Sequence, residues 1–303
     1  MGPTASGKTD FACELFDLFP AEIISVDSAM VFRTMDIGTA KPSAQTLSAY
    51  PHHIINCIDP CDSFSVQKFR STAMTLIEAI LKKNKTPILV GGTMLYFKAL
   101  TEGLTQLPTA DQSLRAQLND EAERMGRKAM HDKLKKIDPI TAKRLHQNDQ
   151  QRVQRALEVF IISGIPLSEH FSKTQTNTVP FTPIRYTLFP EHRSILHERI
   201  ENRFHSMIKQ GFIDEVACLK QDKRLDLSKP SMRCVGYRQV WSYLNNEYDQ
   251  QTMINKGIYA TRQLAKRQLT WLRSIDNNQW FNPENNLQKC TSIDDIISKL
   301  NHQ

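Results

Sequence analysis

Gly2-Pro3-Thr4-Ala5-Ser6-Gly7-Lys8-Thr9 matches the spacing G-x-x-x-x-G-K-[ST]. That spacing serves to hold a chain of phosphates. The glycines let the backbone curl until consecutive N–H groups point inward at phosphate oxygens. Lys8 adds a point charge, and the Thr9 hydroxyl can reach a Mg²⁺ ion carried in on the phosphates. A helical stretch, Asp10–Leu18, follows at once, so its positive end faces the same anion. A merely mobile tail of the same composition would need no helix behind it.

Two features of the context are unusual. A phosphate loop normally follows a buried strand, but only Met1 precedes Gly2. The expectation is therefore a truncated chain, or a mis-assigned start, in which the first strand of the core is missing. Such a gap would expose the edges of neighbouring strands and destabilise the fold. There is also no clear second acidic motif of the kind motor ATPases use. The apolar run Thr86–Val90 leads into Gly91-Gly92-Thr93, with no aspartate at that point. Routine NTP hydrolysis is not indicated, and the loop is free to hold another phosphate chain.

In an open α/β sheet, ligands bind beyond the carboxyl ends of the strands. Asp27-Ser28 follows the apolar run Ala21–Val26 at that end, and Gly91-Gly92-Thr93 follows Thr86–Val90. Lys8, Asp27 and Thr93 are thus expected to converge on one crevice. Asp27 can act there as a base or orient metal-bound water, or it can be a turn carboxylate with no chemistry. Arg193 and Arg199 flank a helix start at His192–Glu201. Either could clamp a phosphate, or both could lie on a solvated face. His52-His53 reads as a strand-edge pair and receives no role.

These residues need a scaffold. Ala21–Val26, His53–Ile58 and Thr86–Val90 are short, β-branched runs that read as buried strands. Phe69–Lys82 between them places Ala73, Leu76, Ile77, Ile80 and Leu81 on one helical face. Alternating strands and helices predict an α/β fold, a parallel sheet with helices on both faces. From about Asp111 the strand signals stop. Leu114–Met125 and Lys128–Ile137 read as charged helices, and Asp138-Pro139 begins another. Gln151–Ile162 sets Val153, Leu157, Phe160 and Ile161 on one face and stops at Gly164. Lys173–Pro183 reads as a loop and Ile184–Phe189 as a return to the sheet. Glu198–Lys220 is helical with a break near Gly211, and Met253–Ser274 is the last long helix. Beyond Asp276 a loop and a short helix around Ile293–Leu300 are expected. The domain reading is residues 1–110 with 173–303 as the core, and 111–172 as an inserted helical domain.

The 303 residues include 40% hydrophobic and 23% charged positions, ordinary values that exclude collagen, coiled coil and wholesale disorder. No apolar run is long enough for a transmembrane helix, and Met1-Gly2-Pro3-Thr4 does not open a signal peptide. Cys13, Cys57, Cys61, Cys218, Cys234 and Cys290 are scattered, with no zinc-like spacing. They read as reduced thiols, and the expected location is the cytoplasm. The net charge of +7 hints at a polyanionic partner.

The hint sharpens in three segments. Lys256–Arg273 holds five basic residues and no acidic one. Arg262, Lys266, Thr270 and Arg273 fall on one helical face, with Ile258, Ala265, Leu269 and Leu272 on the buried side. Gln151, Arg152 and Arg155 give a second polar-basic face. Arg233-Cys234-Val235-Gly236-Tyr237-Arg238 brackets a glycine and a tyrosine with two arginines. Arginine and tyrosine can stack on unpaired bases, and Lys/Arg contacts to phosphate supply affinity.

The chain resembles the tRNA dimethylallyltransferase family, also called tRNA isopentenyl-diphosphate transferases, of the bacterial type. The resemblance rests on GPTASGKT (Gly2–Thr9), SVDSAMVFRTMDIGTAKP (Ser25–Pro42), LVGGTMLYFKAL (Leu89–Leu100), QRVQRALEVF (Gln151–Phe160), RCVGYRQVWSYL (Arg233–Leu244) and ATRQLAKRQLTWLR (Ala260–Arg273). These blocks spread over nearly the whole chain. No zinc module follows the core, unlike in eukaryotic relatives.

The resemblance implies a P-loop core with a helical insertion that grips the tRNA anticodon stem-loop. It implies transfer of a dimethylallyl group from dimethylallyl diphosphate to N6 of the adenosine adjacent to the anticodon, in tRNAs reading codons that begin with U. Asp27, Thr93 and Arg199 are its implied catalytic residues. Gly2, Pro3, Thr4, Ala5, Ser6, Gly7, Lys8 and Thr9 would hold the diphosphate, with Mg²⁺ bound through Thr9. Implied tRNA contacts are Asp27, Ser28, Ala29, Met30, Thr93 and Arg115. They continue with Gln151, Arg152, Val153, Gln154 and Arg155, and then Arg233, Cys234, Val235, Gly236, Tyr237 and Arg238. The last set is Lys266, Arg267, Gln268, Leu269, Thr270, Trp271, Leu272 and Arg273. The expected state is a monomer with no membrane partner. Two other readings remain open on the residues: a P-loop kinase of a nucleotide or small molecule, and a non-enzymatic RNA-binding protein.

Overall fold

A computed structural model describes residues 1–173 and 181–301, so most of the loop expected over Lys173–Pro183 lies outside the described residues. The chain forms two compact units, Met1–Thr101 with Pro180–Gln303, and Glu102–Val179.

The first unit begins with α1 (Lys8–Leu18), β1 (Ala21–Val26), α2 (Ala44–Ala49), β2 (His52–His53), α3 (Val66–Leu81), β3 (Thr86–Gly91) and α4 (Met94–Glu102). The strands form a parallel sheet in the order β2-β1-β3. Ala21 lies opposite Thr86, and the register runs to Val26 opposite Gly91. Successive side chains of β1 point to opposite faces. Ile23 meets Ala12 of α1 and Val90. Ile24 and Val26 join Phe69, Ala73, Ile77 and Ile80 of α3. Those four α3 residues fall at i, i+4, i+8 and i+11, one helical stripe. A strand covered on both faces needs a continuous apolar run, which is why AEIISV does not alternate. Each such buried Ile or Phe contributes about 1.5–3 kcal/mol. The predicted sheet with helices on both faces is present.

The strand expected over His53–Ile58 is not. β2 ends at His53, and Ile54 and Asn56 take φ values of 62° and 55°. Left-handed residues cannot continue a ladder. The chain instead turns and returns Ile58 to a single bridge with Phe32.

The second unit contains α5 (Gln112–Ile137), α6 (Pro139–Arg144), α7 (Gln150–Ser163) and α8 (Leu167–Ser172). The two charged helices read from the sequence are the arms of α5, kinked at Gly126, where φ is 83°. Leu118, Met130 and Leu134 of α5 pack on Val153, Ala156 and Leu157 of α7. The buried face of α7 is rotated from the predicted one: Ile161 is 46% exposed, whereas Glu158 and Val159 are fully buried.

Glu158 explains the rotation. Its carboxylate accepts hydrogen bonds from Arg115 Nε (2.9 Å), Arg115 Nη2 (3.2 Å), Arg155 Nη1 (2.6 Å) and the Asp111 amide (3.0 Å). Burial alone would raise its pKa, but the bonds from Arg115 and Arg155 outweigh that and hold it below the usual range. Glu158→Ala would strand two partly exposed guanidinium groups and the Asp111 amide, at an expected cost of about 1–3 kcal/mol. Urea denaturation is expected to show that loss; a change under about 1 kcal/mol would mean the network does not hold the unit.

The first unit resumes with β4 (Tyr186–Leu188), α9 (Arg193–Lys209), α10 (Phe212–Lys220), α11 (Tyr237–Leu244), α12 (Gln250–Leu272), β5 (Gln279–Phe281) and α13 (Asn286–Asn301). Gly211, with φ 94°, separates α9 from α10, as the expected break requires. β4 and β5 form a second, parallel sheet. β5 replaces part of the loop expected after Asp276; its three residues are too few to show a period. The Met1 backbone lies along β4, donating to Tyr186 O at 2.7 Å and accepting from Leu188 N at 3.0 Å. β3 and β4 share no ladder. No helix among the described residues is long and apolar enough to cross a membrane.

Candidate active site at the phosphate loop

The loop Gly2–Thr9 has the backbone its composition calls for. Ala5 and Gly7 take φ values of 64° and 80°, and α1 starts directly after Gly7. No side chain caps that helix. Its first-turn amides are therefore free to meet an anion. Lys8 Nζ folds back to donate to Pro3 O at 2.8 Å, closing the loop.

The surrounding elements bring in three further groups. Asp27, at the carboxyl end of β1, accepts from Ala29 N at 2.8 Å and Met30 N at 3.3 Å through Oδ1. That turn fixes the carboxylate's direction. Thr93, at the end of β3, joins the same segment: Ser28 N donates to Thr93 Oγ1 at 3.0 Å, and Thr93 N donates to Val26 O at 3.2 Å. Asp27, Ser28 and Thr93 are thus together, as their positions after paired strands required. Arg203 of α9 is the third, and its guanidinium donates to Thr4 Oγ1.

The charges are coupled. Burial, then the Arg203 charge, push Lys8 down to about 8, with Asp27 opposing. Burial also lowers Arg203, again against Asp27. Two half-buried cations with one facing carboxylate make a site that gains from a multivalent anion. Cys234 sits in the field of Asp27 as well; burial first, then Asp27, push its thiol up to about 12.

The sequence did not single out Arg203, and two residues it did single out have other partners. Arg199 pairs with Glu284, so the guanidinium at the loop comes from one turn later. Gln268 of α12, a tRNA contact implied by the resemblance, turns inward. Its Oε1 accepts from Thr4 N at 2.9 Å, and its Nε2 donates to Gly92 O at 2.8 Å. A Cβ at position 92 would lie 2.5 Å from Gln268 Nε2, so any larger residue there would displace that amide.

The residues expected to contact a polyanion differ in exposure. Lys266, Arg267, Thr270, Trp271 and Arg273 are exposed on α12, as are Arg233 and Arg238 beside α11 and Gln151 and Arg152 on α7. Arg262 is tied to Glu201 at 2.6 Å. Val153, Gly236, Tyr237, Leu269 and Leu272 are buried. Tyr237 is a core residue whose hydroxyl donates to Glu215 Oε1 at 2.6 Å. Arg115 and Arg155 hold Glu158. Gln154 donates to Arg115 O at 3.0 Å. Arg193 is exposed at the start of α9. His53 bonds Glu22 at 2.9 Å, at the opposite end of β1 from Asp27.

Comparisons with known proteins bear on this site. A family model described as IPP transferase matches residues 30–275. The crystal structure of full-length tRNA isopentenylpyrophosphate transferase from Bacillus halodurans is 35% identical, covers 99% of this chain and 95% of that one, and superposes with a TM-score of 0.73. The tRNA delta(2)-isopentenylpyrophosphate transferase of Staphylococcus epidermidis is 31% identical over 100% and 97% of the two chains, at 0.70. A eukaryotic dimethylallyltransferase acting on tRNA is 27% identical over 98% and 78%, at 0.82.

Proposed function

Because the chain belongs to the IPP transferase family, we propose that the crevice around Lys8, Asp27 and Arg203 is where a dimethylallyl group passes from its diphosphate to tRNA. The enzyme is a tRNA dimethylallyltransferase. The acceptor in this reading is N6 of the adenosine adjacent to the anticodon, in tRNAs reading codons that begin with U, giving N6-(dimethylallyl)adenosine. The observation that carries it is the meeting of two half-buried cations at the phosphate loop with a carboxylate fixed at its rim.

The loop amides, Lys8 and Arg203 hold the diphosphate. The adenine leaves its stack to reach the allylic carbon. Its exocyclic nitrogen is a poor nucleophile, because its lone pair is delocalised into the ring. Asp27 takes the N6 proton as the new C–N bond forms and the C–O bond to diphosphate breaks. Thr93 and Ser28 place the base. Charge building on the departing diphosphate is stabilised by Lys8 and Arg203.

Among the described residues, no group of three or more His, Cys, Asp or Glu could hold a metal ion by itself. The oxygens of Thr9 and Asp27 suit Mg²⁺ brought in on the diphosphate, since this ion keeps waters and few protein ligands. When bound, it would neutralise leaving-group charge. Exposed Arg233, Arg238, Lys266, Arg267, Thr270, Trp271, Arg273, Gln151 and Arg152 are the proposed tRNA contacts. The unit Glu102–Val179 would grip the anticodon stem-loop. In this reading the enzyme works in the cytoplasm as a monomer.

Incubation with unmodified tRNA, labelled dimethylallyl diphosphate and Mg²⁺ tests the reading. Label on adenosine is expected. Phosphate transfer from ATP, or RNA binding indifferent to diphosphate, would instead favour the kinase or the non-enzymatic reading.

The lowered pKa of Lys8 adds a pH dependence. Below about 8 the free enzyme carries the charged ammonium; above it the amine is neutral. A bound anion favours the charged form, so binding takes up a proton above that pH. Pyrophosphate affinity is expected to fall by up to about tenfold per pH unit there. Calorimetry at pH 8.5 in two buffers of different ionisation enthalpy should show the uptake; equal heats would contradict it.

A further inference from the structure

Gln268 occupies an unusual position for a residue in the middle of a basic helix. At about 100° per residue, it faces almost directly away from Lys266, Thr270 and Arg273. Those three are exposed, while Ala265, Leu269 and Leu272 beside Gln268 are buried. Its amide bridges two segments that otherwise share no ladder. Oε1 receives the Thr4 amide at 2.9 Å, and Nε2 donates to Gly92 O at 2.8 Å. Thr4 is the residue whose hydroxyl Arg203 holds, and Gly92 precedes Thr93, whose hydroxyl receives the Ser28 amide. One side chain therefore touches the phosphate loop on one side and the segment beside Asp27 on the other.

We propose that Gln268 is a positioning residue that couples the polyanion face of α12 to the phosphate loop, so that RNA on that face tightens the grip on diphosphate. The inference rests on the reading of the site as a tRNA dimethylallyltransferase. An amide suits the task because it carries an acceptor and two donors on one planar group. Neither partner can be dropped without leaving a half-buried backbone group unpaired. α12 is a helix of 23 residues, so a small shift imposed by RNA on its outer face is carried to Gln268 on the inner one. Coupling of this kind is reciprocal: the factor by which RNA improves diphosphate binding is the factor by which diphosphate improves RNA binding.

Inorganic pyrophosphate with Mg²⁺ and an unmodified anticodon stem-loop RNA serve as probes. In the wild-type protein, saturating RNA is expected to tighten pyrophosphate binding at least about fivefold. Gln268→Met keeps the length and removes both bonds. It should bring that factor close to one and raise the KM for dimethylallyl diphosphate more than it lowers kcat. Affinity for RNA alone should change less than about twofold, because the outer face of α12 is untouched. A purely structural role would lower the melting temperature without moving the coupling factor. If the Met variant fails to fold, Gln268→Glu keeps an acceptor for Thr4 but has no donor for Gly92, and the same loss of coupling is expected. A factor of one in the wild type, or an undiminished factor in either folded variant, overturns the proposal. Failure of the wild-type protein to transfer dimethylallyl to tRNA would overturn the functional reading instead.

Discussion

Asp27→Asn is expected to slow single-turnover transfer of dimethylallyl to tRNA by about 10²–10⁴-fold, the range for loss of a positioned general base. Affinity for tRNA should stay near wild type. Asparagine is a sharper probe than alanine here. Asp27 Oδ1 accepts from the amides of Ala29 and Met30, and the asparagine carbonyl can keep both bonds. The turn survives, and only proton acceptance and charge are lost. Alanine would also release the turn and with it Ser28, whose amide is held by Thr93. A variant that turns over normally but binds tRNA poorly would make Asp27 a docking residue. A variant normal in both respects would leave it a turn carboxylate.

The second large effect is expected at Arg203. Arg203→Gln should lower kcat/KM for dimethylallyl diphosphate by about 10²–10³-fold, equivalent to roughly 3–4 kcal/mol of transition-state stabilisation. Arg199→Gln, one turn earlier, should change it by less than about threefold. Arg199 shares a partly exposed ion pair with Glu284, and pairs of that kind contribute roughly 0–1 kcal/mol. Arg203 and Lys8 repel each other in the ligand-free protein, which is part of why Lys8 is held near 8. Removing Arg203 should therefore raise the Lys8 pKa and shift the pH dependence of pyrophosphate binding upward. Should the impaired variant be Arg199 instead, the diphosphate clamp would belong to that residue and the geometry at Thr4 would be incidental.

Arg199 and Arg203 also mark a limit of sequence reading. They lie four residues apart on α9, nearly on one face, and a helical period cannot choose between them. The choice depends on how α9 lies against the phosphate loop, and the bond from Arg203 to Thr4 spans 199 residues. Glu158 is a similar case. Periodicity predicted an apolar stripe on α7, but a carboxylate that collects bonds from Arg115, Arg155 and Asp111 rotated the helix and left Ile161 outside. Tyr237 lies between arginines in the sequence, yet it is buried with its hydroxyl on Glu215.

The sequence by itself determined whatever is encoded by neighbours along the chain. The phosphate loop and the helix behind it, the apolar strands Ala21–Val26 and Thr86–Gly91, and the buried side of α12 all follow from local spacing. Each is written in one contiguous stretch, as a loop motif, an unbroken apolar run or a stripe with the helical period of 3.6 residues. Tertiary structure alone decided which polar groups pair across long separations: Arg203 and Gln268 on Thr4, and Arg115 on Glu158. The reason is energetic. Apolar burial is non-directional and leaves a repeating stripe in the sequence. A hydrogen bond is directional and takes whichever donor the packed helices bring within about 3 Å.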